Sequence, residues 1–402
     1  MRRTITAAAA AILALGVAGC GAAATPKPHQ SPTPSARASS SPAASEKVLG
    51  LITESGPVTG TPTIDITGLD GSTLATKGLA SDSLAALAGG PKGAYFTSGY
   101  QLMLLDTHGT VSTLGSVAVA PASNSSAFQL GSGIDALAIS PQGNQWAFLS
   151  TTTAPNSLLV AQVWLGGTNL TPHLLLNTTE TSSSLPAEFP QGFGYSLLGW
   201  GRDGVVVAEI PSGVGGAGPF LDYNVDVFFV NPSTGAETPI ANVSNCPLSA
   251  FTSAGGYGCA LLASSGGGDQ SIEVGLPGGQ VKFFALPSNT IAGNVAFDPT
   301  SAKVAYGQVN LNCAGCSGSM AVELAAIQME VGTIKSGSAH PLGPLGLTPA
   351  AWLPDGRIAA TQYSVAPDGQ SITSAVVLVN SAGTVTSLVS SLDPEFIGLA
   401  TG

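Results

Sequence analysis

The sequence predicts an all-β protein built from repeated four-stranded units, and three observations predict it. Tight turns containing Gly or Pro recur between short apolar segments, several of them rich in Val, Ile and aromatics. The turn signals follow one another at about the 8–12-residue spacing of antiparallel strands. The region they fill, residues 47–402, exceeds an ordinary single domain unless the architecture is a repeat. These observations describe a β-propeller of seven four-stranded blades, with six or eight as the alternatives.

The repeat is read from its turns. Gly89-Gly90-Pro91-Lys92-Gly93 precedes Ala94-Tyr95-Phe96, and Ser140-Pro141-Gln142-Gly143 precedes Trp146-Ala147-Phe148. Trp200-Gly201-Arg202-Asp203-Gly204 precedes Val205–Ala208, and Ala254-Gly255-Gly256 precedes Cys259-Ala260-Leu261. Phe297-Asp298-Pro299-Thr300-Ser301 and Trp352-Leu353-Pro354-Asp355-Gly356 complete the series. Successive turns, counted at 93, 143, 204, 256, 301 and 356, lie 45 to 61 residues apart. A four-stranded blade with its loops needs about 40–50 residues. Pro sets φ at one turn position, and Gly accepts the positive φ that a tight hairpin needs.

A second hairpin follows in each period, as in Leu102–Val111, Val227–Gly235 and Val376–Val385. Two segments carry helix formers instead, Ser83–Ala88 and Met320–Glu330; their place in the repeat predicts strands. The first repeat has strands near Val48–Ile52, Thr63–Thr67 and Thr73–Thr76 but lacks an inner one. Phe396-Ile397-Gly398-Leu399-Ala400 is a spare apolar strand at the other end. Pairing the two would close the ring and bury a sheet edge that invites aggregation.

The Ser-Pro-Gln-Gly and Leu-Pro-Asp-Gly turns, each followed by an apolar strand, resemble the WD40-like repeats of bacterial TolB-type propellers. The copies at 139–148 and 352–360 are close, and the others have lost the Pro or the Asp. The resemblance implies an extracytoplasmic domain that works by protein–protein contact.

Arg2 and Arg3, the apolar run Ile5–Val17 and the small residues Ala18-Gly19 have the layout of a secretory signal. Val17-Ala18-Gly19-Cys20 resembles the lipobox of bacterial lipoproteins, which implies a signal peptide over 1–19. It also implies fatty acylation (palmitate) at Cys20 and a cell-membrane location on the extracytoplasmic side. Residues 20–46, with Pro26, Pro28, Pro32, Pro34 and Pro42 among Ala, Ser and Thr, read as a disordered, semi-extended tether. The propeller occupies 47–402.

Charged residues are only 9% of the chain and the net charge is −11. After Arg3 no Lys/Arg cluster occurs, which argues against nucleic acid as a partner. His108, His173 and His340 fall in three repeats and spell no metal set, and neither a nucleophile elbow nor a phosphate-cradling loop is present. The expectation is therefore no enzyme, no cofactor and no metal, although propeller active sites assemble from several blades. Trp146, Trp200 and Trp352, each beside a blade turn, read as packing between blades, while Trp164 is left open.

With Cys20 assigned to lipid, Cys246, Cys259, Cys313 and Cys316 remain, an even number that reads as two disulfides in an exported chain. The pairs expected are Cys246 with Cys259 and Cys313 with Cys316. The connections between blades and those joining second to third strands leave on one face, and the long stretches 115–133, 177–193, 211–224, 307–320 and 362–373 are all of these kinds. Long loops on a rigid scaffold are where function sits. Their aromatic residues and carboxylates, chiefly Phe193, Phe220, Asp222, Tyr223, Tyr363 and Asp368, are the candidate binding residues. The function expected is a membrane-anchored lipoprotein whose propeller binds an envelope protein or small ligand. The alternative is a glycan- or peptide-directed cell-envelope enzyme with a site at the central channel.

Overall fold

The computed structural model describes residues 47–402 apart from 57–60, 80–85, 118–133, 154–158, 178–192, 202, 212–225, 241–247, 253–255, 263–268, 278, 312–319, 367–370 and 390–393. Residues 44–402 form one compact unit.

The chain begins with β1 (Val48–Ser55), β2 (Thr63–Thr67) and β3 (Thr73–Gly78). A second group is β4 (Leu87–Pro91), β5 (Gly93–Ser98), β6 (Gln101–Asp106) and β7 (Val111–Ser116). The third is β8 (Ile134–Ile139), β9 (Gln145–Thr153), β10 (Leu159–Gly167) and β11 (Leu170–Asn177). The fourth is β12 (Phe193–Gly201), β13 (Gly204–Pro211), β14 (Asp226–Val230) and β15 (Glu237–Pro239). Next come β16 (Leu248–Phe251), β17 (Tyr257–Leu262), β18 (Asp269–Gly275) and β19 (Val281–Ala285). The sixth group is β20 (Thr290–Phe297), β21 (Lys303–Asn310), helix α1 (Met320–Ala325), β22 (Gln328–Thr333) and β23 (Ser338–Pro341). The last group is β24 (Leu347–Trp352), β25 (Ile358–Val365), β26 (Ile372–Val379) and β27 (Val385–Val389), and β28 (Pro394–Thr401) ends the chain.

Five sheets have four strands, and one has eight in the order β3-β2-β1-β28-β4-β5-β6-β7. The eight-stranded sheet is two four-stranded units joined by a short parallel pairing, Ala400 with Gly90 and Thr401 with Pro91. Its first unit takes its inner strand from the far end of the chain, as expected: β28 pairs antiparallel with β1 from Val48 opposite Thr401 to Ser55 opposite Pro394. Around the ring the innermost strands β28, β4, β8, β12, β16, β20 and β24 meet in that order, and β24 returns to β28. The domain is a β-propeller.

The bending of the innermost strands is built from bulges. In β8, β12, β16, β20, β24 and β28 the register against the next strand slips by one residue with the extra residue on the inner strand; the β28–β1 pair has a second slip, with Leu49 of β1 as the extra residue. A bulge raises local twist and bends the strand that carries it. The first hairpins close as the turn chemistry predicts. Gly143 donates its N–H to the Ser140 carbonyl at 2.8 Å, and Gly356 donates to Leu353 at 3.0 Å. Both glycines are left-handed, with φ of 69° and 87°; Ser301 holds the same place with φ of 56°.

The core lies between sheets. Val205, Val207, Phe228 and Val230 pack with Ala147, Val163 and Leu176 of the preceding unit. Trp146 is fully buried. A Cβ on Gly115 would stand 2.7 Å from its ring and one on Gly166 only 2.2 Å from its Nε1, so two glycines make its slot. Trp164 is buried too, stacked on Phe148 with centroids 6.4 Å apart. Trp200 is half-buried against the cluster of Val205 and Phe228, and Trp352 against another that holds Ala305, Val331 and Val377.

Two expectations are corrected. The segment Met320–Glu330 is not strand throughout: its first residues form α1, and the strand begins at Gln328. Ala, Glu and Leu are strong helix formers, and this stretch lies in a connection, where no ladder opposes propensity. The stretch 362–373 is strand rather than loop at both ends, since β25 runs to Val365 and β26 starts at Ile372.

Candidate functional site

Strand direction alternates within each unit, so the turns between first and second strands and between third and fourth share one face. The other connections share the opposite face. On the short-turn face the acidic residues serve the turns. Asp70, Asp106, Asp298 and Asp355 each accept the backbone N–H two residues ahead, at 2.5–3.0 Å. The Asp70, Asp106 and Asp355 carboxyls are held below the usual range chiefly by the Ser72 hydroxyl, the Thr110 N–H and the Arg357 guanidinium respectively, the last at 2.6 Å, with the N–H two residues ahead adding to each.

Charge is divided between the faces. Among the described residues, Lys47, Lys92, Lys282, Lys303, Lys335 and Arg357 all lie at the short-turn ends of strands or in the turns, interspersed with carboxylates. Among the residues whose side chains are described, the opposite ends carry Glu54, Glu209 and Glu395, and of the bases only Lys77. The long-connection face is thus the acidic one.

At that end of the ring lies a cavity of about 280 Å³. Three successive innermost strands line it: β20 with Asn294 and Val295, β24 with Thr348, Pro349 and Ala350, and β28 with Glu395 and Phe396. Thr361 and Tyr363 of β25 complete the wall. Two bulges face it. Asn294 takes a left-handed φ of 51° within the β20 bulge, and Ala350 is the extra residue of β24. Asn tolerates this conformation better than other non-glycine residues, and bulges re-aim side chains beside functional sites.

The wall is polar. Thr348 is 4% exposed, and its Oγ1 has no hydrogen-bond partner. Burying a hydroxyl without a partner costs about 1–3 kcal/mol. Glu395 is exposed at the rim. Burial, and after it the Glu395 carboxylate, holds the Glu54 carboxyl above the usual range. The same two causes, in the same order, raise the Tyr363 phenol.

Of the expected binding residues, Tyr363 lines this cavity, from a strand rather than a loop. Phe193 opens β12, and its side chain lies outside the described residues, as do Phe220, Asp222, Tyr223 and Asp368. Cys20, Cys246, Cys313 and Cys316 also lie outside them. Cys259 is buried in β17 and is not a free thiol. Sequence reading missed Asn294, Thr348 and Glu395. Glu395 was the one within reach, standing directly before the spare strand that closes the ring. His340 and Trp352 line a second cavity of about 320 Å³ on the short-turn side, beside the turns of Asp298 and Pro354.

No family model matches the chain, and no curated protein does. Several solved structures are similar to it. A protein described as TolB from Agrobacterium tumefaciens is 13% identical, with a TM-score of 0.40 over 87% of this chain and 94% of that one. Oligogalacturonate lyase from Vibrio parahaemolyticus is 9% identical, with a TM-score of 0.46 over 78% of this chain and 83% of the lyase. The acylaminoacyl peptidase of Pyrococcus horikoshii is 12% identical, with a TM-score of 0.49 over 85% of this chain and only 50% of the peptidase. Identities this low transfer no activity.

Proposed function

We propose that the chain is an extracytoplasmic lipoprotein, anchored through Cys20, that presents its propeller as a binding module for an envelope protein or small ligand. The observation that carries the binding role is the cavity on the acidic face, whose wall offers a carboxylate, two threonine hydroxyls, an amide and two aromatic rings. Such a wall recognises by hydrogen bonding and apolar contact, and a concave site with a few convergent polar groups is where ligands bind. The anchor rests on the Val17-Ala18-Gly19-Cys20 run and the Pro-rich tether behind it. Disulfides Cys246–Cys259 and Cys313–Cys316 belong to the same reading, since exported chains keep such bonds. Non-reducing peptide mapping that returns free thiols at 246, 313 or 316, or a bound metal, removes them.

Two experiments test the reading. Cys20→Ser should leave the protein unprocessed or release it to the medium; a lipid-modified mutant refutes the anchor. Cross-linking on intact cells should capture a partner through the long-connection face, and Tyr363→Ala should reduce the capture. Equal loss from an exposed short-turn substitution such as Glu237→Gln places the site elsewhere.

One observation favours a second reading, an envelope-directed enzyme. Glu54 and Glu395 are neighbouring carboxylates in unequal surroundings, one half-buried and one exposed, which is how an acid–base pair is divided. Hydrolysis of cell-wall glycan that disappears in Glu54→Gln and Glu395→Gln alike would establish it.

A further inference from the structure

We propose that the cavity at the acidic end of the ring takes an organic cation, the ammonium or guanidinium head of an extended alkyl chain, with Glu395 as its counter-charge and Thr348 as a hydrogen-bond acceptor. This rests on the binding reading above and names the ligand class for that site.

Four independent features converge on it. Glu395 lines the cavity, and none of its described lining residues is basic. Glu54, its cross-strand partner, adds a second carboxyl within about 5 Å measured between Cβ atoms. The Thr348 Oγ1 is buried in the cavity wall and unpartnered, an acceptor that a ligand N–H would satisfy. Tyr363 and Phe396 bring rings to the same wall, and cations are drawn to aromatic faces. The charge division then explains delivery. A face bearing carboxylates at its strand ends and one lysine concentrates cations at its centre and speeds their encounter. The space, about 280 Å³, suits one lysine- or arginine-sized chain.

Two sources share this chemistry: a free alkylamine, and a Lys or Arg side chain of a partner polypeptide. A neutral sugar would use the hydroxyls but not the carboxyls, and a dicarboxylate would be repelled.

The test uses the full-length protein purified in a neutral detergent, with isothermal titration calorimetry at low salt. The probes are cadaverine, agmatine, a capped tetralysine peptide, glutarate, glucose and calcium chloride. Cadaverine or agmatine should bind and glutarate and glucose should not. Affinity should fall as salt is raised. Glu395→Gln should weaken amine binding at least tenfold, and Thr348→Val about threefold to tenfold, while Glu237→Gln on the opposite face leaves it unchanged. Melting curves of the free variants check that each is folded. Peptide that binds more tightly than cadaverine and is displaced by it assigns a polypeptide side chain; equal or weaker binding assigns the free amine. The proposal is overturned if Glu395→Gln retains full amine affinity, if glucose or glutarate binds as well as the amines, or if only calcium binds. A partner that still cross-links through Tyr363 after such a result would leave the binding module intact and remove only the ligand class.

Discussion

Glu54 and Glu395 stand directly opposite each other in the antiparallel pair formed by the first and last strands of the chain. The strand pair that closes the ring therefore carries two like charges at its acidic end. Directly opposed like charges weaken a strand pair by about 0.2–1 kcal/mol.

Replacing Glu54 by Gln should relieve that repulsion, and pH gives the signature. The folded-state pKa of Glu54 lies above its ordinary value of 4.5. The folded protein therefore binds the proton more tightly than the unfolded chain, and stability falls as pH rises from 4.5 through the raised value. Glu54→Gln should gain about 0.5 kcal/mol at pH 7 and nothing near pH 3.5. Urea unfolding at the two pH values measures it, and an equal gain at both contradicts it.

Deleting β28 should destabilise the whole domain rather than one blade. Its loss uncovers β1 and removes the buried Ala400 and the half-buried Phe396 and Leu399 from two interfaces. One large core truncation alone costs about 2–5 kcal/mol. Chain shortened at residue 393 with an unchanged melting temperature would refute the terminal exchange.

Trp146 fills a slot made by Gly115 and Gly166, so both partners of the fit are testable. Trp146→Ala should cost about 3–5 kcal/mol. Gly115→Val should destabilise by overpacking, and Gly115→Val with Trp146→Leu should recover part of the loss. Additive losses in the double variant, read by chemical denaturation, would contradict direct packing.

Tyr257 donates its hydroxyl to Glu273 at 2.6 Å in a buried interface. Burial first, then the Glu273 carboxylate, pushes the Tyr257 phenol far up, so it remains a donor at any ordinary pH. Tyr257→Phe strands a buried acceptor and should cost about 1–3 kcal/mol. Thermal unfolding that shows no loss would mean water replaces the phenol.

Ser301 occupies the left-handed turn position that Gly143 and Gly356 hold in other units. Ser301→Gly should stabilise by about 0.5–1 kcal/mol, because the strain it relieves exceeds the entropy that glycine adds to the unfolded chain. A lower melting temperature in the variant would show that the Ser301 side chain contributes more than its backbone strain costs.

The sequence by itself determined most of the strands and how the ring closes. Turns at 143 and 356, apolar runs between them and a spare strand at Phe396–Ala400 are local signals, written in adjacent residues whose chemistry is the same wherever the chain goes. What only the tertiary structure decided is the site. Asn294, Thr348 and Glu395 lie some fifty residues apart in turn, and each alone reads as an ordinary strand residue. They meet because innermost strands of successive units converge, and because bulges at Asn294 and Ala350 turn those strands toward the cavity. A bulge depends on the register between two strands, which no single segment specifies. Tyr363 reads from sequence as a loop residue and is a strand residue, since the hairpin of β25 and β26 is extended by pairing as far as Val365 with Ile372. α1 went the other way: free of a ladder, its residues followed their own helical propensity. Local chemistry sets which strands form, and the pairing between them sets which side chains face each other.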